Sequence, residues 1–451
     1  MELPNYYLAD LPPEATVNPQ LIHDACTALR KNRTQYLQER SLSQITSTLC
    51  ATATEWLDPE NEFRKLALES GLTGFPREIL ARGLDQFFSQ LTLANFEALI
   101  QQDLGHVNRF IEFSSNLWEQ NHDRASIAHG PELMAHITGG KIPNPVFISL
   151  VLGLLTRSAQ FFKCASGTSF LPRLFAHSIY RLDPKLGACI EIAEWKGGNS
   201  ELEKALFSEA PLVTATGDDD TLRVIRDQLP IITKFVGYGH RVSFGYVTHE
   251  ALSGFALHKL VARAADDVIA WNQLGCLSPH VFYVEIGGAV SPAEFAEQLA
   301  HELRSREATY PRGPVGVADG SNIASRRAFY AVRAAHDTNT KCWTSDNSTA
   351  WTVIFENDPQ FQLSCLHRFV FVKAVASLPQ TLCAADAVRG KVSTVGIAAL
   401  ENRAAAVAGQ FASWGVSRIC PIGQMQNPPL TWRHDGRPSL GDLITWTDWE
   451  Q

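Results

Sequence analysis

A cysteine lies in the stretch of the chain that is best suited to chemistry. Cys276 follows Gly275, an Asn272–Gln273 pair lies just before it, and a strand-like run over 281–285 follows it. A cysteine at such a junction can present its backbone N–H to a ligand. A thiolate there can attack a carbonyl or thioester carbon, and nearby amides can receive the developing oxyanion. The sequence therefore predicts that Cys276 is a nucleophile.

The other eight cysteines give no comparable signal. They form no Cys-x-x-Cys pair and no Cys/His cluster at zinc spacing, so we expect no metal site. The N-terminal residues lack the basic flank and apolar core of a secretory signal. Scattered cysteines without such a signal are typical of a reducing compartment, so we expect a cytoplasmic protein.

Length and charge exclude some classes of function. A chain of 451 residues can bury a large core in two or three domains. Its net charge of −8 argues against nucleic acid as a partner, because phosphate binding needs clustered Lys and Arg. The longest apolar run, 145–155, is shorter than the ~20 residues of a membrane span and predicts a buried helix. The sequence does not decide whether the chain forms a homo-oligomer or binds a partner enzyme.

The pattern of apolar residues changes along the chain. Helical spacing predicts helices over 21–38, 41–54 and 76–104. From about residue 134, short β-type runs alternate with helical segments, which indicates βαβ units and parallel sheets. The sequence thus predicts a helical N-terminal region (1–125), a cofactor-binding α/β domain (126–245), a catalytic α/β domain (246–425) and a C-terminal tail (426–451).

The segment around Cys276 resembles the nucleophile region of the aldehyde dehydrogenase superfamily. It is most similar to the long-chain acyl-CoA reductase branch, typified by the reductase subunit of bacterial bioluminescence systems, and residues 432–440 are similar to that branch as well. The chain lacks a Gly-x-Gly-x-x-Gly turn after a strand, which counts against ordinary Rossmann dehydrogenases but not against this superfamily. The resemblance spans about 130–451 and implies an aldehyde dehydrogenase-like fold with two parallel-sheet α/β domains.

The resemblance also implies cofactor contacts. Lys163 matches the superfamily lysine that reaches the adenosine ribose; the alternative is a lysine at a strand edge with its charge in water. Ser166 stands where many NAD-preferring relatives carry a glutamate, and a serine does not repel a 2′-phosphate, which favours NADPH. Thr216 and Gly217 match a turn near the cofactor pyrophosphate, where helix N–H groups attract anions, with Asp218 as the helix N-cap.

The oxyanion site departs from the superfamily pattern. Lys141 occupies the place of the asparagine whose amide helps to hold the oxyanion, and Asn144 follows the next proline instead. Either Asn144 has taken over this role, or the oxyanion depends on the N–H of Cys276 alone. The sequence leaves both open.

The segment that carries a glutamate base in hydrolytic relatives contains none here. It corresponds to residues 235–243. An aldehyde oxidiser must activate water, whereas a thioester reductase must exclude it, so this absence favours reduction. His240 is the nearest titratable group: it either assists the thiol or donates a proton, or it is a turn histidine bonded to backbone. His280 and His367 are weaker candidates.

Together these features predict NADPH-dependent reduction of an acyl thioester, carried by CoA or an acyl-carrier protein, to an aldehyde through an acyl-enzyme on Cys276. One alternative is a CoA-acylating aldehyde dehydrogenase that works oxidatively. Another is a non-catalytic relative that binds acyl groups or a partner. The acyl chain length, the carrier and the oligomeric state are not determined by the sequence.

Overall fold

The computed structural model of this chain describes residues 3–12 and 14–450, without the side chains of 254–256. In these ranges six α-helices precede the first strand. Asn18 caps the first of them, with Pro19 at its first position, and Ser41 and Gln44 form a capping box at the second. The six helices are α1 (Pro19–Asn32), α2 (Leu42–Leu57), α3 (Glu62–Glu69), α4 (Arg77–Phe88), α5 (Leu93–Leu104) and α6 (Leu117–Gln120).

The helix predicted over 76–104 is two helices. Thr92 ends the connection between α4 and α5, and its side chain accepts a hydrogen bond from the N–H of Asn95. A threonine that caps a new helix competes with helix continuation, which the apolar pattern alone does not reveal. The prediction over 21–38 also ran too far, since α1 ends at Asn32 and a π-helical turn, Arg33–Leu37, follows.

The first α/β unit is built on a five-stranded parallel sheet. Its order is β4-β3-β2-β5-β6, so the chain moves outward from β2 to β4 and then returns to the other side of β2. In doubly wound sheets such a reversal leaves a crevice at the carboxyl ends of the two central strands. The unit contains β2 (Leu133–Thr138), α7 (Asn144–Leu155), β3 (Ala159–Cys164), α8 (Phe170–Leu182), α9 (Pro184–Gly187), β4 (Ile190–Glu194), α10 (Ser200–Glu209), β5 (Leu212–Thr216), α11 (Asp219–Gln228) and β6 (Lys234–Tyr238).

The second α/β unit is built on a seven-stranded sheet of order β13-β12-β7-β8-β11-β10-β9, parallel except at its β9 edge. Its central strands are buried on both faces and therefore carry continuous apolar runs. The unit contains β7 (Val242–Val247), α12 (Gly254–Ile269), β8 (Pro279–Glu285), α13 (Pro292–Arg306), α14 (Val317–His336), β9 (Thr340–Thr344), β10 (Thr352–Glu356), β11 (Phe369–Val375), α15 (Leu378–Ala384), β12 (Val392–Ala398), α16 (Glu401–Trp414) and β13 (Arg418–Pro421).

A two-stranded antiparallel ribbon joins the segment between α6 and β2 to the C-terminal segment. It pairs β1 (Arg124–His129) with β14 (Thr445–Glu450). The predicted C-terminal tail thus ends in a strand. The two large sheets meet at the short connection 239–241, and β7, which belongs wholly to the second sheet, crosses the domain boundary predicted at 245/246.

The helical region packs against both sides of the first α/β unit. Ile22, Cys26 and Leu29 of α1 join the core on one face of the five-stranded sheet. On the other side, the indole N–H of Trp56 in α2 donates to the Ser178 hydroxyl of α8. No helix within the described ranges is long and apolar enough to cross a membrane.

Candidate active site

Cys276 lies in a loop whose backbone conformation is unusual. Three consecutive residues before it, Trp271, Asn272 and Gln273, have φ of 49°, 54° and 64°. Left-handed backbone is unfavourable for residues with a Cβ and persists where surrounding contacts enforce it. Here the Gln273 amide donates to the carbonyl oxygens of Pro279 and Phe369 at 2.8 and 2.9 Å. These bonds anchor the loop to the start of β8 and β11.

A second left-handed stretch supports the first. Leu366, His367 and Arg368 have φ of 59°, 52° and 66°. The buried Arg368 guanidinium donates to the side-chain oxygen of Asn272 at 2.8 Å and to the carbonyl of Tyr310 at 2.7 Å. Burial lowers the Arg368 pKa to about 9. The nucleophile loop is therefore held by bonds from a neighbouring strand rather than by its own local preference.

The Cys276 thiol is exposed to solvent at the mouth of the loop. Its sulfur is nevertheless surrounded by protein on the other sides, and this burial, followed by the charge of Asp435, raises the thiol pKa to about 11. The backbone N–H groups of Cys276 and Leu277 act in the opposite direction and lower the thiol pKa. Backbone N–H groups are also the kind of donor that can stabilise an oxyanion.

Ser243 fixes the backbone of Cys276. Its buried hydroxyl donates to the carbonyl oxygen of Cys276 at 2.7 Å and accepts from the N–H of Thr394 at 3.1 Å. Ser243 belongs to β7 and Thr394 to β12, so one hydroxyl connects the loop to two adjacent strands of the catalytic sheet.

The loop after β2 reaches the nucleophile loop. A Cβ on Gly275 would lie 3.3 Å from Cδ1 of Ile142, so the two loops are in close contact. Asn144 begins α7 two residues later, and its side-chain oxygen is buried without a hydrogen-bond partner in the described ranges. Lys141 is exposed. This arrangement brings Asn144, rather than Lys141, to the inner side of the loop.

The two histidines near the thiol differ in environment. His240 is exposed in the connection between the two sheets, and its backbone N–H donates to the Asp219 carboxylate at 3.2 Å. His280, at the start of β8, is buried, and burial together with the charge of His240 lowers its pKa to about 4. The N–H of Ser364 donates to Nδ1 of His280, which puts the proton of the neutral ring on Nε2. The third candidate, His367, has its Nε2 3.6 Å from the Asp319 carboxylate.

Lys163 lies at the carboxyl end of β3, beside the crevice of the five-stranded sheet. Its side chain is buried, the ammonium lies 5.8 Å from the centre of the Trp195 ring, and a Cβ on Gly197 would be 3.8 Å from Nζ. Burial lowers the Lys163 pKa, and Glu203 partly opposes this. β3 is an interior strand, so the alternative of an edge lysine with its charge in water does not apply.

A carboxylate that the sequence reasoning missed lies next to Ser166. Ser166 is exposed in the loop after β3, and Glu194 at the end of β4 accepts hydrogen bonds from the N–H groups of Gly167 at 2.7 Å and Ser169 at 3.2 Å. A carboxylate therefore lies at the carboxyl end of β4, although the residue at position 166 is a serine. Because β3 and β4 are neighbours, a glutamate at the end of β4 was the available signal.

Thr216 ends β5 and Gly217 follows it, on the other side of the crevice. A Cβ on Gly139, which follows β2, would lie 3.0 Å from the carbonyl oxygen of Thr216, so the two turns touch at the reversal of strand order. Asp218 caps α11 by accepting from the N–H of Thr221 at 2.7 Å, and this bond lowers its pKa. The N–H of Gly217 donates to the carbonyl oxygen of Tyr238 at 3.2 Å, which ties the turn to β6.

The other two carboxylates of the Asp-rich turn have cationic partners. Asp219 lies 3.1 Å from Lys391 and Asp220 lies 3.1 Å from Arg223. The repulsion that three free carboxylates would exert on a pyrophosphate is therefore reduced.

A group with the composition of a metal site lies at the carboxyl ends of β7 and β8. It consists of His249, Glu250 and Glu285. The Arg403 guanidinium donates to Glu250 at 2.8 Å and to Glu285 at 3.1 Å. These carboxylates already share a cation, so the arrangement is an ion-pair network.

The C-terminal segment 423–443 supplies functional groups that the sequence analysis left without a role. The Asp267 carboxylate of α12 accepts hydrogen bonds from the N–H groups of Gly423 and Met425 and so holds the start of this segment. Farther along, Asp435 lies 3.3 Å from Arg241. The charge of Asp435 acts on the thiol pKa, although the segment 235–243 contains no glutamate. Asp435 is distant from Cys276 in sequence, and the only signal for this segment was the resemblance of residues 432–440 to the acyl-CoA reductase branch.

Comparisons with known proteins place these features in a family. A model of the acyl-CoA reductase (LuxC) family matches residues 37–446. The long-chain acyl-protein thioester reductase of Photorhabdus laumondii is 21% identical over 324 residues, which are 70% of this chain and 63% of that protein. That of Vibrio harveyi is 21% identical over 283 residues, 61% of this chain and 57% of the relative. The matched part is less than two thirds of either relative.

Solved structures share the fold. An E. coli NADP-dependent enzyme superposes with a TM-score of 0.72 at 13% identity, covering 96% of this chain and 90% of that chain. An NAD-dependent benzaldehyde dehydrogenase of Corynebacterium glutamicum gives 0.69 at 14% identity, covering 99% and 94%. These likenesses confirm the predicted aldehyde dehydrogenase-like fold. With a family match over most of its length, this protein belongs to the LuxC acyl-CoA reductase family.

Proposed function

We propose that this chain reduces an acyl thioester, carried by CoA or by an acyl-carrier protein, to an aldehyde with NADPH. The observation that carries the proposal is the exposed Cys276, next to backbone N–H groups of Cys276 and Leu277 that favour negative charge on its sulfur. The thiol can be acylated by a thioester, and the amide donors can hold the negative charge that develops on the carbonyl oxygen. The long-chain thioester reductases named above support this reaction class.

Asn144 completes the proposed oxyanion site. Its side-chain oxygen is buried without a partner, and the amide belongs to a loop that contacts Gly275 through Ile142. A primary amide has two N–H donors, and the assignment of its oxygen and nitrogen follows from the bonds that it makes. In the opposite assignment, the buried atom is an N–H donor that a bound acyl oxygen would satisfy.

The crevice of the five-stranded sheet fits a dinucleotide. Lys163 brings a buried ammonium to one side, next to Ser166, while the Thr216–Gly217 turn and the N-terminus of α11 lie on the other. The cofactor supplies the hydride that reduces the acyl group. Glu194 accepts two backbone hydrogen bonds at the ribose end, and we propose that this engagement, together with Lys163, permits a 2′-phosphate.

Acylation is tested with the chain and acyl-CoA alone. Stoichiometric release of CoA, with acyl label on the Cys276 peptide, is expected for the wild type, followed by aldehyde release when NADPH is added. Cys276→Ser should abolish both, whereas Cys383→Ser, which changes another exposed thiol, should change neither. Continued hydrolysis to free acid would indicate a thioesterase. Acyl-CoA formation from aldehyde, NADP+ and CoA without the reverse reaction would indicate the oxidative enzyme, and binding without acylation a non-catalytic relative.

The cofactor assignment is tested at Lys163. Lys163→Ala should raise the Michaelis constant for NADPH about tenfold or more with a smaller change in kcat, because a ribose-phosphate contact persists through the reaction. Lys196→Ala, at an exposed lysine nearby, is the matched control. A lower Michaelis constant for NADH than for NADPH in the wild type would refute the NADPH assignment and would give Glu194 the ribose-binding role.

A further inference from the structure

Gln426 is a buried residue whose amide contacts the turn that carries Cys276. Its side chain is 7% exposed, and its amide N–H donates to the hydroxyl of Ser278, which is fully buried. A Cβ on Gly275 would lie 3.3 Å from the side-chain oxygen of Gln426 and 3.7 Å from the Ser278 hydroxyl. The amide therefore lies against both ends of the segment 275–278, with Cys276 between them.

The segment 275–278 is a β-turn. The N–H of Ser278 donates to the carbonyl oxygen of Gly275 at 2.9 Å, so Cys276 and Leu277 are the two central residues. The hydrogen bond of the turn uses neither of their N–H groups, and these same groups lower the thiol pKa. The direction in which the two N–H groups point thus depends on the conformation of the turn.

The chain around Gln426 is held by buried charged side chains. The Asp267 carboxylate accepts from the N–H of Met425 at 3.0 Å. The buried Arg418 guanidinium donates to the carbonyl oxygens of Gln424 and Met425, each at 2.7 Å. These bonds fix the backbone immediately before Gln426, so its amide presents a firm support to the turn.

We propose that Gln426 is a positioning residue for acylation: its hydrogen bond to Ser278 holds the turn so that the two central N–H groups face the carbonyl oxygen of the thioester. This inference rests on the proposed function. Ser243 holds the same turn through the Cys276 carbonyl. Because Ser243 belongs to the catalytic sheet and Gln426 to the C-terminal segment, two separate parts of the chain fix the turn.

A small displacement of these donors should slow acylation strongly. Attack on a thioester puts negative charge on the carbonyl oxygen, and donors stabilise it only if they are already in place. A misplacement of about 1 Å can lower a rate by about 100-fold. Alkylation of the thiol by iodoacetamide displaces iodide and develops no charge on a carbonyl oxygen, so it does not need these donors. The two reactions of one thiol therefore distinguish positioning from a general loss of structure.

Gln426→Ala and Ser278→Ala remove the same hydrogen bond from its two ends, so the bond can be tested even if one variant fails to fold. Each should slow the burst of CoA release about 10- to 100-fold at unchanged amplitude, while alkylation of Cys276 changes less than about threefold. The double variant should be little slower than either single variant, because two changes to one interaction do not add. Gln424→Ala, at an exposed amide of the same segment, is the matched control and should leave the burst unchanged.

Hydrogen–deuterium exchange of the peptide 271–280 gives a readout that does not need the reaction. Its amides should exchange faster in Gln426→Ala and Ser278→Ala but not in Gln424→Ala. Unchanged exchange, a double variant that loses the product of the two single losses, or a burst and an alkylation rate that fall equally would overturn the inference. If the wild type releases no CoA, the proposed function fails, and the exchange data alone decide whether Gln426 holds the turn.

Discussion

Two buried serines on adjacent strands should lose very different amounts of stability on the same substitution. Ser243 and Ser393 are both fully buried. The Ser243 hydroxyl bonds to the carbonyl of Cys276 and the N–H of Thr394, whereas the Ser393 hydroxyl has no partner in the described ranges. Replacing either with alanine removes one oxygen atom, so the cavity terms are similar. The difference between the variants therefore reports the hydrogen bonds.

The magnitude follows from the groups left behind. Each buried donor or acceptor that loses its partner costs about 1–3 kcal/mol. Ser243→Ala leaves two such groups, and the Cys276 carbonyl lies near the exposed thiol where water can replace part of the bond, so we expect a loss of about 2–4 kcal/mol in the free energy of unfolding. Ser393→Ala removes an unsatisfied hydroxyl and should change stability by less than about 1 kcal/mol, in either direction.

Urea unfolding followed by tryptophan fluorescence and by far-UV circular dichroism measures this difference, provided that the two curves coincide and the slopes of the variants agree. Ser243→Ala should also change the rate at which iodoacetamide modifies Cys276, because the loop loses an anchor, whereas Ser393→Ala should not. Equal losses of stability in the two variants would refute the assignment of the hydrogen bonds.

Two further predictions concern packing and pH. Gly83→Ala should destabilise the chain by about 1–3 kcal/mol or more, because the new Cβ would lie 2.1 Å from the Trp271 ring. Gly409→Ala in α16 meets nothing within 4 Å and should stabilise the chain by up to about 1 kcal/mol. Thermal unfolding compares the two variants, and an unchanged stability of Gly83→Ala would contradict the packing. Burial acts to raise the Glu285 pKa, but hydrogen bonds from Arg403, Tyr246 and His249 hold it at about 2, below its unfolded value. Glu285 therefore contributes stability above pH 4.5, on the order of 3 kcal/mol, that is lost as pH falls toward 2. The stability difference between wild type and Glu285→Gln should shrink over that range, and a constant difference would argue against the shift.

Much of the fold could be predicted because its central strands and helices carry strong apolar periods. The apolar runs over 369–375 and 401–414 predict a strand and a helix, and they coincide with β11 and α16. β14 is not predicted because all of its residues are exposed, so it lacks the buried alternation that marks a strand. The pattern over 200–203 predicts a capping box at Ser200, but Asn199 is the cap, since its side chain accepts from the N–H of Leu202. Residues that can cap a helix often stand side by side, and only backbone geometry selects one.

The candidate site was less predictable. Local motifs predict roles for Cys276 and Lys163, because one short segment contains the relevant pattern in each case. Glu194 and Asp435 come to this region through strand order and through the path of the C-terminal segment, which a single sequence does not specify. The absence of a glutamate in 235–243 can be observed in the sequence, whereas the effect of the Asp435 charge on the thiol cannot.

The route of residues 423–443 has a consequence for folding. The N–H of Leu440 bonds to the Asp103 side chain, 337 residues earlier in the chain, and Arg437 bonds to Gly237 across 200 residues. Contacts between such distant parts of a chain close large loops and form slowly. During refolding we expect secondary structure to recover first and the electrostatic effect of Asp435 on Cys276 to appear last. Alkylation of the thiol during refolding would then time the final closure of the chain around its own nucleophile.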